Sequence, residues 1–294
     1  MDVLAVDVGG TKIEVGVVDD AGVIVGRHRA PTPTGDDPEA VLAVLAGLVD
    51  AARSGAADRG LHPVAVGVGC GGPMAVGGVT VSPLNIPAWR DFPLVARLGA
   101  ITGLPVAVDN DAKALALAEG WLGAARGRRD HLAMVVSTGV GGGIVLDGRL
   151  LDGAAGNAGH IGHVIVEPNG RTCGCGARGC LEAEASGTAI RAVTGADPAD
   201  AEESVRVRTG TLVGRAVASV ANLLDIPFVT VAGSVALGYG DVFFAAANEE
   251  LGRRSRLAFS AGARIVPAGL GADGPLVGAA AVARRAAGLG VGVG

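Results

Sequence analysis

Two strand–turn–strand segments with glycine-rich turns lie ~130 residues apart in this chain. The first reads DVGGTKIEVGVVDDAG from residue 7, and the second reads STGVGGGIVLDG from residue 137. Because similar hairpins at a distance indicate two similarly built lobes, we interpret them as a duplication of topology. Elsewhere, strand-like apolar segments alternate with helical patterns along the chain. This alternation predicts an α/β protein.

Local patterns place the remaining elements along the 294 residues, which suffice for one large domain or two ordinary ones. Strands are predicted at Val3 to Val6, Ile13 to Val18, Val23 to Val25, Pro63 to Gly69, Pro105 to Val108, 227–233 and 264–268. Helices are predicted at 38–58, 92–102, 112–122, 209–224, 239–257 and 274–288.

Charge and hydropathy exclude several classes of partner. The net charge of −5 leaves no basic surplus to neutralise phosphates, which argues against nucleic acid and membrane surfaces as partners. No apolar run approaches the ~20 residues needed to cross a bilayer. The N-terminal MDVLAVDVGG lacks the basic segment and cleavage site of a signal peptide. We therefore expect a cytoplasmic protein that binds small molecules.

The first glycine-rich turn, DVGGTK, is a candidate phosphate site. Its Gly9 and Gly10 allow backbone N–H groups to approach phosphate oxygens. It is not a Walker A loop, because its spacing differs and a strand follows it. An ordinary hairpin turn is the alternative. Asp7, Thr11 and Lys12 favour the phosphate site, because a carboxylate can hold Mg²⁺ while hydroxyl and ammonium groups meet phosphate.

The second turn, STGVGGG, supplies a similar cradle, so two hairpins facing a cleft would specify a nucleotide site together. A third polar segment, DND at 109–111, ends one predicted strand and precedes a helix. Capping of that helix is the alternative role, but the segment has more polar groups than a cap uses. Phosphoryl transfer to an alcohol needs a carboxylate that accepts the hydroxyl proton. Asp111 is the candidate base, with Asn110 orienting sugar hydroxyls.

Three of the four cysteines are clustered in the pattern C-x-C-x4-C. Cys173, Cys175 and Cys180, with His163 as fourth ligand, predict a tetrahedral Cys₃His zinc site. Such a closed site is structural, because no position remains for a reacting water. A zinc knuckle that binds nucleic acid is the alternative, but the local charge is too slight to support it. Cys70 lies far from the cluster and is interpreted as a small buried residue.

Together these residues resemble the ROK family, the repressor and sugar-kinase group of the actin-like ATPase superfamily. The match runs nearly end to end. It covers DVGGTK, PLNIPAW, DNDA, STGVGGG, GAAGNAGHIGH, CGCGARGCLEAEASG and VAGSVALGYGD. The combination is highly specific, although each motif alone is not.

The resemblance implies a two-lobed α/β fold of the actin-like ATPase (hexokinase/ROK) type with a structural zinc site. Residues 1–112 and 276–294 would form a smaller lobe, and residues 113–275 a larger lobe that carries the zinc. The active site would lie in the cleft between the lobes. Dimers and tetramers are both compatible with the sequence.

By the same resemblance, the chain is an ATP-dependent hexose kinase in which Asp111 is the catalytic base and Asn110 holds the sugar. The other sugar-binding residues would be Gly72, Asn85, His160, His163 and Glu182. The residues in contact with ATP and Mg²⁺ would be Asp7, Gly9, Gly10, Thr11, Lys12, Thr138, Gly139 and Gly233.

One departure from the family pattern concerns the sugar. Most ROK glucokinases carry Glu at the position of His160, which gives GEIGH where this chain has GHIGH. A carboxylate accepts hydrogen bonds near the C1–C2 end of the sugar, whereas a neutral imidazole both donates and accepts. The variant resembles bacterial N-acetylmannosamine kinases, whose substrate carries an acetamido group at C2. The amino sugar is slightly favoured, and glucose is the alternative.

An alternative of another class is a non-catalytic, sugar-binding regulator, because ROK repressors share this core. Those repressors carry a winged helix-turn-helix ahead of it, whereas the first strand here begins at Asp2 or Val3. We expect no DNA-binding domain. The presence of Asp111, which a mere sensor does not need, also favours the enzyme. Polyphosphate remains open as a phosphoryl donor in place of ATP.

Overall fold

A computed structural model describes residues 1–291 of the chain. Residues 292–294, the end of the expected smaller lobe, lie outside the described residues. The chain divides into two compact units. The first unit comprises Met1–Gly123, Asp152–Ala158 and Ala272–Gly294, and the second comprises Ala124–Leu151 and Gly159–Gly271. The expected boundary between residues 112 and 113 falls inside a helix, whereas this division follows Gly123.

The elements of the first unit precede and follow those of the second. Its strands are β1 (Val3–Val8), β2 (Lys12–Val18), β3 (Ile24–Pro31), β4 (Ala65–Cys70) and β5 (Val106–Asn110). Its first three helices are α1 (Pro38–Ala57), α2 (Leu94–Thr102) and α3 (Asp111–Trp121).

The second unit contains the elements from residue 131 to residue 267. Its strands are β6 (His131–Val136), β7 (Val140–Leu146), β8 (Arg149–Leu150), β9 (Phe228–Ala232) and β10 (Arg264–Pro267). Its helices are α4 (Leu181–Ala185), α5 (Gly187–Thr194), α6 (Glu203–Leu224) and α7 (Ser234–Arg254). The chain then returns to the first unit with α8 (Gly274–Ala286).

The two sheets have the same topology, which agrees with the duplication predicted from the hairpins. The first sheet has the order β3-β2-β1-β4-β5, and the second has the order β8-β7-β6-β9-β10. In each, three antiparallel strands are followed by two parallel ones. The parallel strands are buried because helices cover them, so their sequences are almost continuously apolar. The chain is therefore an α/β protein built on two sheets.

Helix α1 shows how the apolar pattern produces a core helix. Asp37 caps it by accepting a hydrogen bond from the N–H of Glu39 at 2.9 Å. Its apolar stripe, which includes Val41, Leu45 and Val49, is buried against β2 and β3. By length and composition alone α1 could also cross a membrane. Its packing on the first sheet is that of an amphipathic core helix.

Helix α8 packs directly on the first sheet. Small residues allow this approach, since a Cβ on Gly67 of β4 would lie 1.9 Å from the carbonyl oxygen of Ala279. Gly278 likewise lies close to α3, because a Cβ there would lie 2.8 Å from the backbone of Ala114. Leu276 is fully buried in the same layer. The closing helix thus completes the core of the first unit.

The helices of the second unit differ from the sequence prediction. The short helices α4 and α5 were not predicted, because five and eight residues are too few to show a helical period clearly. Helix α6 begins at Glu203 rather than near 209, and α7 begins at Ser234 rather than near 239. In α7 the residue Gly240 has a non-helical backbone (φ 56°, ψ −140°), so the helical pattern is broken near its start. Glycine adopts this conformation without a Cβ penalty.

Candidate active site

Two acidic residues of the first unit, Asp7 and Asp111, lie beside Gly69 in β4. A Cβ on Gly69 would lie 3.7 Å from the Cα of Asp111 and 3.8 Å from Oδ1 of Asp7. Burial raises the pKa of Asp7 from 3.8 to about 7, and the negative charge of Asp111 adds to the rise, whereas Lys12 opposes it. The structure therefore brings together the predicted base and the predicted Mg²⁺ ligand, in surroundings that disfavour a second negative charge.

The N-terminus of α3 fixes the position of Asp111. Asn110 is its N-cap, and its Oδ1 accepts hydrogen bonds from the N–H groups of Ala112 at 3.0 Å and Lys113 at 3.4 Å. The capping alternative is thus correct for Asn110. Its amide Nδ2 lies on the side of Gly72, 3.6 Å from where a Cβ on that glycine would be. Asn110 thus caps α3 with its amide oxygen, while its amide nitrogen offers hydrogen-bond donors on the side of Gly72.

An ion network around the buried Lys113 supports this helix. Lys113 contacts Asp109 at 2.9 Å, Asp152 at 3.0 Å and the carbonyl oxygen of Gly156 at 3.2 Å. Arg285 of α8 contacts Asp152 at 2.6 Å and Asp109 at 3.4 Å. Only 3% of the Lys113 side chain is exposed, so its charge requires these partners. The network attaches residues 152–158 to the first unit, and the sequence pattern contained no signal for it.

The first glycine-rich turn is a hairpin between β1 and β2, as the sequence predicts. The N–H of Gly9 donates to the carbonyl oxygen of Lys12 at 3.0 Å. Thr32 supports the turn, because its hydroxyl donates to the carbonyl of Gly9 at 2.6 Å and its N–H to the carbonyl of Thr11 at 3.0 Å. The ammonium group of Lys12 pairs with the buried carboxylate of Glu14.

Two further predicted residues of the first unit lie near these turns. A Cβ on Gly10 would lie 2.4 Å from the Cβ of Asn85, so the turn and the PLNIPAW segment pack in direct contact. Gly72 follows β4 and borders Asn110. The structure thus groups the predicted residues of the first unit around the ends of β1, β4 and β5. Those residues are Asp7, Gly9, Gly10, Thr11, Lys12, Gly72, Asn85, Asn110 and Asp111.

In the second unit, the turn between β6 and β7 meets the segment that follows the cysteines. The N–H of Ser137 donates to the carbonyl of Gly139 at 2.9 Å. Glu182 Oε2 accepts a hydrogen bond from the N–H of Val140 at 2.9 Å. A Cβ on Gly139 would lie 2.8 Å from the same oxygen, so only glycine leaves room for the carboxylate.

The three clustered cysteines and His163 converge as the spacing predicts. Their ligand atoms all lie within 4.8 Å of one another. Cys173 Sγ is 3.7 Å from His163 Nδ1, and Cys175 Sγ is 3.7 Å from Cys180 Sγ. Zn–S bonds of about 2.3 Å at tetrahedral angles would separate two sulfurs by about 3.8 Å. The donor set and its spacing therefore fit a zinc ion. Cys70 is fully buried elsewhere, as predicted.

His160 is left outside that cluster. It precedes the short 3₁₀ helix Ile161–His163, and its side chain is exposed. Its ring centroid lies 6.1 Å from that of His163, at an interplanar angle of 34°. The two imidazole rings therefore lie near each other, and that of His163 contacts the sulfur of Cys173.

A carboxylate beyond the cluster holds its loop in place. Glu184 of α4 is buried and accepts hydrogen bonds from the N–H of Arg171 at 2.6 Å and from the guanidinium of Arg208 at 2.7 Å. Burial would raise the pKa of Glu184, but these bonds from Arg171 and Arg208 hold it below its usual value. The carboxylate is ionised and ties the loop before Cys173 to helix α6.

A cavity of about 240 Å³ opens beside the turn between β6 and β7. It is lined by Ser137, Thr138, Gly187, Thr188, Arg191, Asp197, Pro198, Ala199, Ser234 and Val235. Helix α7 begins at this cavity without a side-chain cap, so N–H groups of its first turn are available for an anion. Gly233 precedes it with φ 101°, and a Cβ there would lie 2.3 Å from the carbonyl of Val136. A glycine is therefore required.

The comparison with protein families decides the relationship suggested by these sites. The model of the ROK family matches residues 3–286. The chain belongs to the ROK family.

Individual ROK proteins are similar over most of their length. An N-acetylmannosamine kinase of Citrobacter koseri is 40% identical over 256 residues, which cover 82% of this chain and 86% of that protein. The ROK hexokinase of Thermus thermophilus superposes with a TM-score of 0.86 at 36% identity, covering 98% of this chain and 99% of the other. A ROK glucokinase of Streptomyces griseus, in complex with glucose and AMPPNP, gives 0.81 at 31%, covering 97% and 100%.

Several residues that line the cavity were not among those predicted from the sequence. Ser137 and Ser234 lie beside predicted residues, and their hydroxyls are 2.9 Å apart. Thr188 and Arg191 lie on α5, a helix that was not predicted from the sequence. The one available signal was Ser186, because it caps α5 by accepting a hydrogen bond from the N–H of Ala189.

Proposed function

We propose that this chain phosphorylates the 6-hydroxyl of a hexose or N-acylhexosamine with the γ-phosphoryl group of ATP, with N-acetylmannosamine slightly favoured. Family membership and the kinases among its relatives make it a ROK family sugar kinase. The observation that carries the proposal is the position of Asp111 at the start of α3, beside Gly69 and Asp7. A protein that only binds sugar has no use for this carboxylate pair.

In the proposed reaction, Asp111 accepts the proton of the sugar hydroxyl while that oxygen attacks the γ-phosphorus of ATP. The bond between the γ-phosphorus and its bridging oxygen breaks, and ADP leaves. Asn110 orients the sugar through its amide, whose oxygen is already engaged in capping α3. Gly72 and Asn85 of the first unit, and His160, His163 and Glu182 of the second, are proposed to bind the sugar as well.

The donor is proposed to use groups of both units. Gly9, Gly10, Thr11 and Lys12 provide a backbone turn, a hydroxyl and an ammonium group that suit phosphate oxygens. In the second unit, Thr138 and Gly139 contribute the matching turn. Gly233 allows the first turn of α7 to present N–H groups beside the cavity.

Two metal ions are part of the proposal. Asp7 would hold Mg²⁺, through water, and a nearby cation would offset the burial that raises its pKa. When bound, Mg²⁺ neutralises charge on the phosphates that react. The Cys₃His set would hold a structural zinc ion through Cys173, Cys175, Cys180 and His163. The distances between these donors support the assignment.

The identity of the sugar is the less determined part of the proposal. An imidazole at His160 can donate to an amide carbonyl, which suits an acetamido group at C2. The similarity to N-acetylmannosamine kinases supports this choice, and glucose is the alternative substrate. We also propose a cytoplasmic location and a homodimer or homotetramer, without nucleic acid or membrane partners.

The test is a coupled assay of ADP release with glucose, mannose, N-acetylglucosamine, N-acetylmannosamine, allose and fructose. We expect turnover with at least one hexose and the highest kcat/KM for N-acetylmannosamine. Sugar binding without turnover on any of them would favour the regulator instead.

The variant His160→Glu tests the origin of the preference. We expect it to shift the ratio of kcat/KM toward glucose by roughly tenfold, because the carboxylate can only accept hydrogen bonds. His62→Glu, at a position away from these turns, is the matched control. An unchanged ratio in His160→Glu would exclude this histidine from substrate choice.

A further inference from the structure

One ion pair brackets the turn between β5 and α3. Lys113, in the first turn of α3, contacts Oδ1 of Asp109 at 2.9 Å. The same oxygen accepts a hydrogen bond from the N–H of Asn110 at 2.8 Å. The residues between the two partners are Asn110 and Asp111, which are proposed to orient the sugar and to accept its proton. The pair therefore holds the backbone on which both of these side chains stand.

The ammonium group of Lys113 also holds a second segment of the chain, Asp152–Ala158. It contacts Oδ1 of Asp152 at 3.0 Å and donates to the carbonyl oxygen of Gly156 at 3.2 Å. His160, which is proposed to bind the sugar, follows this segment by two positions. One ammonium group thus joins the turn before α3 to the segment that leads to His160.

The burial of Lys113 makes these contacts necessary. Only 3% of its side chain is exposed, and a buried charge without partners is strongly destabilising. An ammonium group has three donors, and three acceptors surround this one. Asp109 and Asp152 also share a second cation, Arg285, so the formal charges of the four side chains balance. Lys113 is therefore held in one arrangement in which each donor has a partner.

The choice of lysine at this position also fits its surroundings. Lys12 and Lys113 are the only lysines among the 24 basic residues of the chain. An ammonium group directs three donors from one compact charge, whereas a guanidinium is planar and larger. Three acceptors from two segments around a single buried point match the ammonium group. An arginine would not satisfy the same three partners in this space.

We propose that Lys113 is a positioning residue for the sugar half of the reaction. It acts through the turn of Asn110 and Asp111 and through the segment that leads to His160. The inference rests on the proposed kinase function and adds a residue that acts through its neighbours rather than on the reacting atoms. Among the described residues, the partners of its ammonium group all lie outside the glycine-rich turns proposed for the donor. Its effect should therefore fall on the sugar and not on ATP.

The test measures steady-state kinetics for N-acetylmannosamine, glucose and ATP, and separately the Kd of each sugar by calorimetry without ATP. In Lys113→Met the turn and the segment both lose their attachment. We expect the sugar kcat/KM to fall roughly 10²-fold and the sugar Kd to rise about tenfold, because small displacements of positioned groups are costly. The KM for ATP should stay within about twofold.

A second variant, Asp152→Ala, separates the two attachments. It releases the segment but leaves Lys113 paired with Asp109, so the turn remains bracketed. The KM for sugar should rise roughly five- to tenfold while kcat stays within about threefold, whereas Lys113→Met should lower kcat itself by at least about tenfold. The side chain of Asp152 is 48% exposed, so this variant should fold even if Lys113→Met does not.

The control for destabilisation alone is Val49→Ala. Val49 is a buried residue of α1 in the same unit and has no part in the ion network. The cavity left by this substitution should lower the Tm by roughly 3–8 °C without changing kcat, the KM for sugar or the KM for ATP.

The double variant Lys113→Met/Asp152→Asn separates charge balance from positioning. It leaves one cation, Arg285, for one anion, Asp109, so much of the Tm lost in Lys113→Met should return. The segment is still not attached to α3, so the sugar kcat/KM should stay at least about tenfold below wild type. Recovery of kcat/KM together with the Tm would mean that Lys113 only stabilises the fold.

Sugar binding needs no turnover, so it separates this inference from the kinase proposal. If wild type phosphorylates sugar but Lys113→Met has the kinetic constants of Val49→Ala, the inference is overturned and the kinase stands. If wild type binds sugar without turnover and Lys113→Met binds it about tenfold more weakly, the kinase proposal fails and the positioning of the sugar stands. Neither binding nor turnover in wild type would contradict both.

Discussion

The carboxylate of Glu182 accepts a hydrogen bond from the backbone N–H of Val140 across 2.9 Å. Glu182 lies on α4, two residues after the cluster ligand Cys180, and Val140 begins β7 directly after the glycine-rich turn. One side chain therefore joins the cysteine segment to the turn that we propose for the donor. Glu182, which the sequence assigns to sugar binding, therefore also has a structural role as the hydrogen-bond acceptor for Val140.

Two substitutions of Glu182 should separate these roles. Glu182→Gln keeps an oxygen that accepts from Val140, so its Tm should stay close to wild type while the KM for sugar rises roughly tenfold. Glu182→Ala should lose both functions, with a stability loss of about 1–2 kcal/mol. Thermal unfolding and steady-state kinetics provide the two measurements. Equal Tm values for both variants would show that the bond to Val140 contributes nothing.

Replacement of the proposed base should abolish turnover without loss of sugar binding. In Asp111→Asn the amide oxygen can still accept from the N–H of Ala112, which Asp111 does at 2.8 Å, so α3 should keep its start. We expect kcat to fall by roughly 10²- to 10⁴-fold, with a sugar Kd within about threefold of wild type. Asp50→Asn on α1 is the control. Residual turnover together with lost sugar binding would contradict the assignment.

Replacement of a cluster ligand should lower zinc content and stability together. Cys175→Ser should reduce the zinc-to-protein ratio from one toward zero and lower the Tm, because metal binding contributes to folding. Elemental analysis and thermal unfolding measure the two effects. Cys70→Ala, at a buried cysteine outside the cluster, should retain the metal. A metal-free Cys175→Ser protein with wild-type Tm and activity would remove zinc from the proposal.

The ionised state of Glu184 should make part of the stability depend on pH. Its pKa is lowered in the folded protein by Arg171 and Arg208, so its contribution is complete above the unfolded value of 4.5. That contribution is lost as the pH falls through the folded pKa. Glu184→Gln should therefore be less stable than wild type by about 1–3 kcal/mol at pH 7. The difference should shrink below about pH 4.5.

The matched control for Glu184 is an exposed ion pair. Glu249 pairs with Arg253 on α7, where both side chains are 65% exposed. Glu249→Gln should change stability by less than about 0.5 kcal/mol at any pH. A gap between Glu184→Gln and wild type that does not change with pH would mean that packing, rather than charge, is lost.

Asp7 should have the opposite dependence on pH. Its folded pKa of about 7 lies above the unfolded value of 3.8, so ionisation destabilises the fold increasingly as the pH rises between these values. Asp7→Asn should exceed the wild-type Tm by about 3–6 °C at pH 8 and match it near pH 4. Kinase activity should be lost. Asp20→Asn is the control. A Tm difference between Asp7→Asn and wild type that does not change with pH would show that ionisation of Asp7 does not destabilise the fold.

The sequence was sufficient for those features that depend on local pattern. Both hairpins, the stripe of α1 and the Cys₃His spacing follow from periods and intervals that neighbouring residues set. The place of Asp111 at the start of a helix that follows a strand also came from the local pattern, whereas its catalytic role stays a prediction. These predictions needed no knowledge of which distant segments meet.

Features that depend on distant partners could not be predicted in this way. Nothing near Glu184 in the sequence indicates that Arg208 will pair with it, and nothing near Asp109 indicates that Arg285 will. The cavity beside the turn between β6 and β7 was not predicted either, because its lining comes from separate segments and one of them, α5, is only eight residues long.

The return of α8 to the first sheet has a consequence for synthesis on the ribosome. Strands β1 and β4 are made early, yet the helix that covers them follows the whole second unit in the chain. Until α8 emerges, Val3, Ala5 and Gly67 lack the layer that buries them. The second unit can fold while the first still exposes an apolar sheet. At that stage the nascent chain has the most apolar surface for a chaperone to bind.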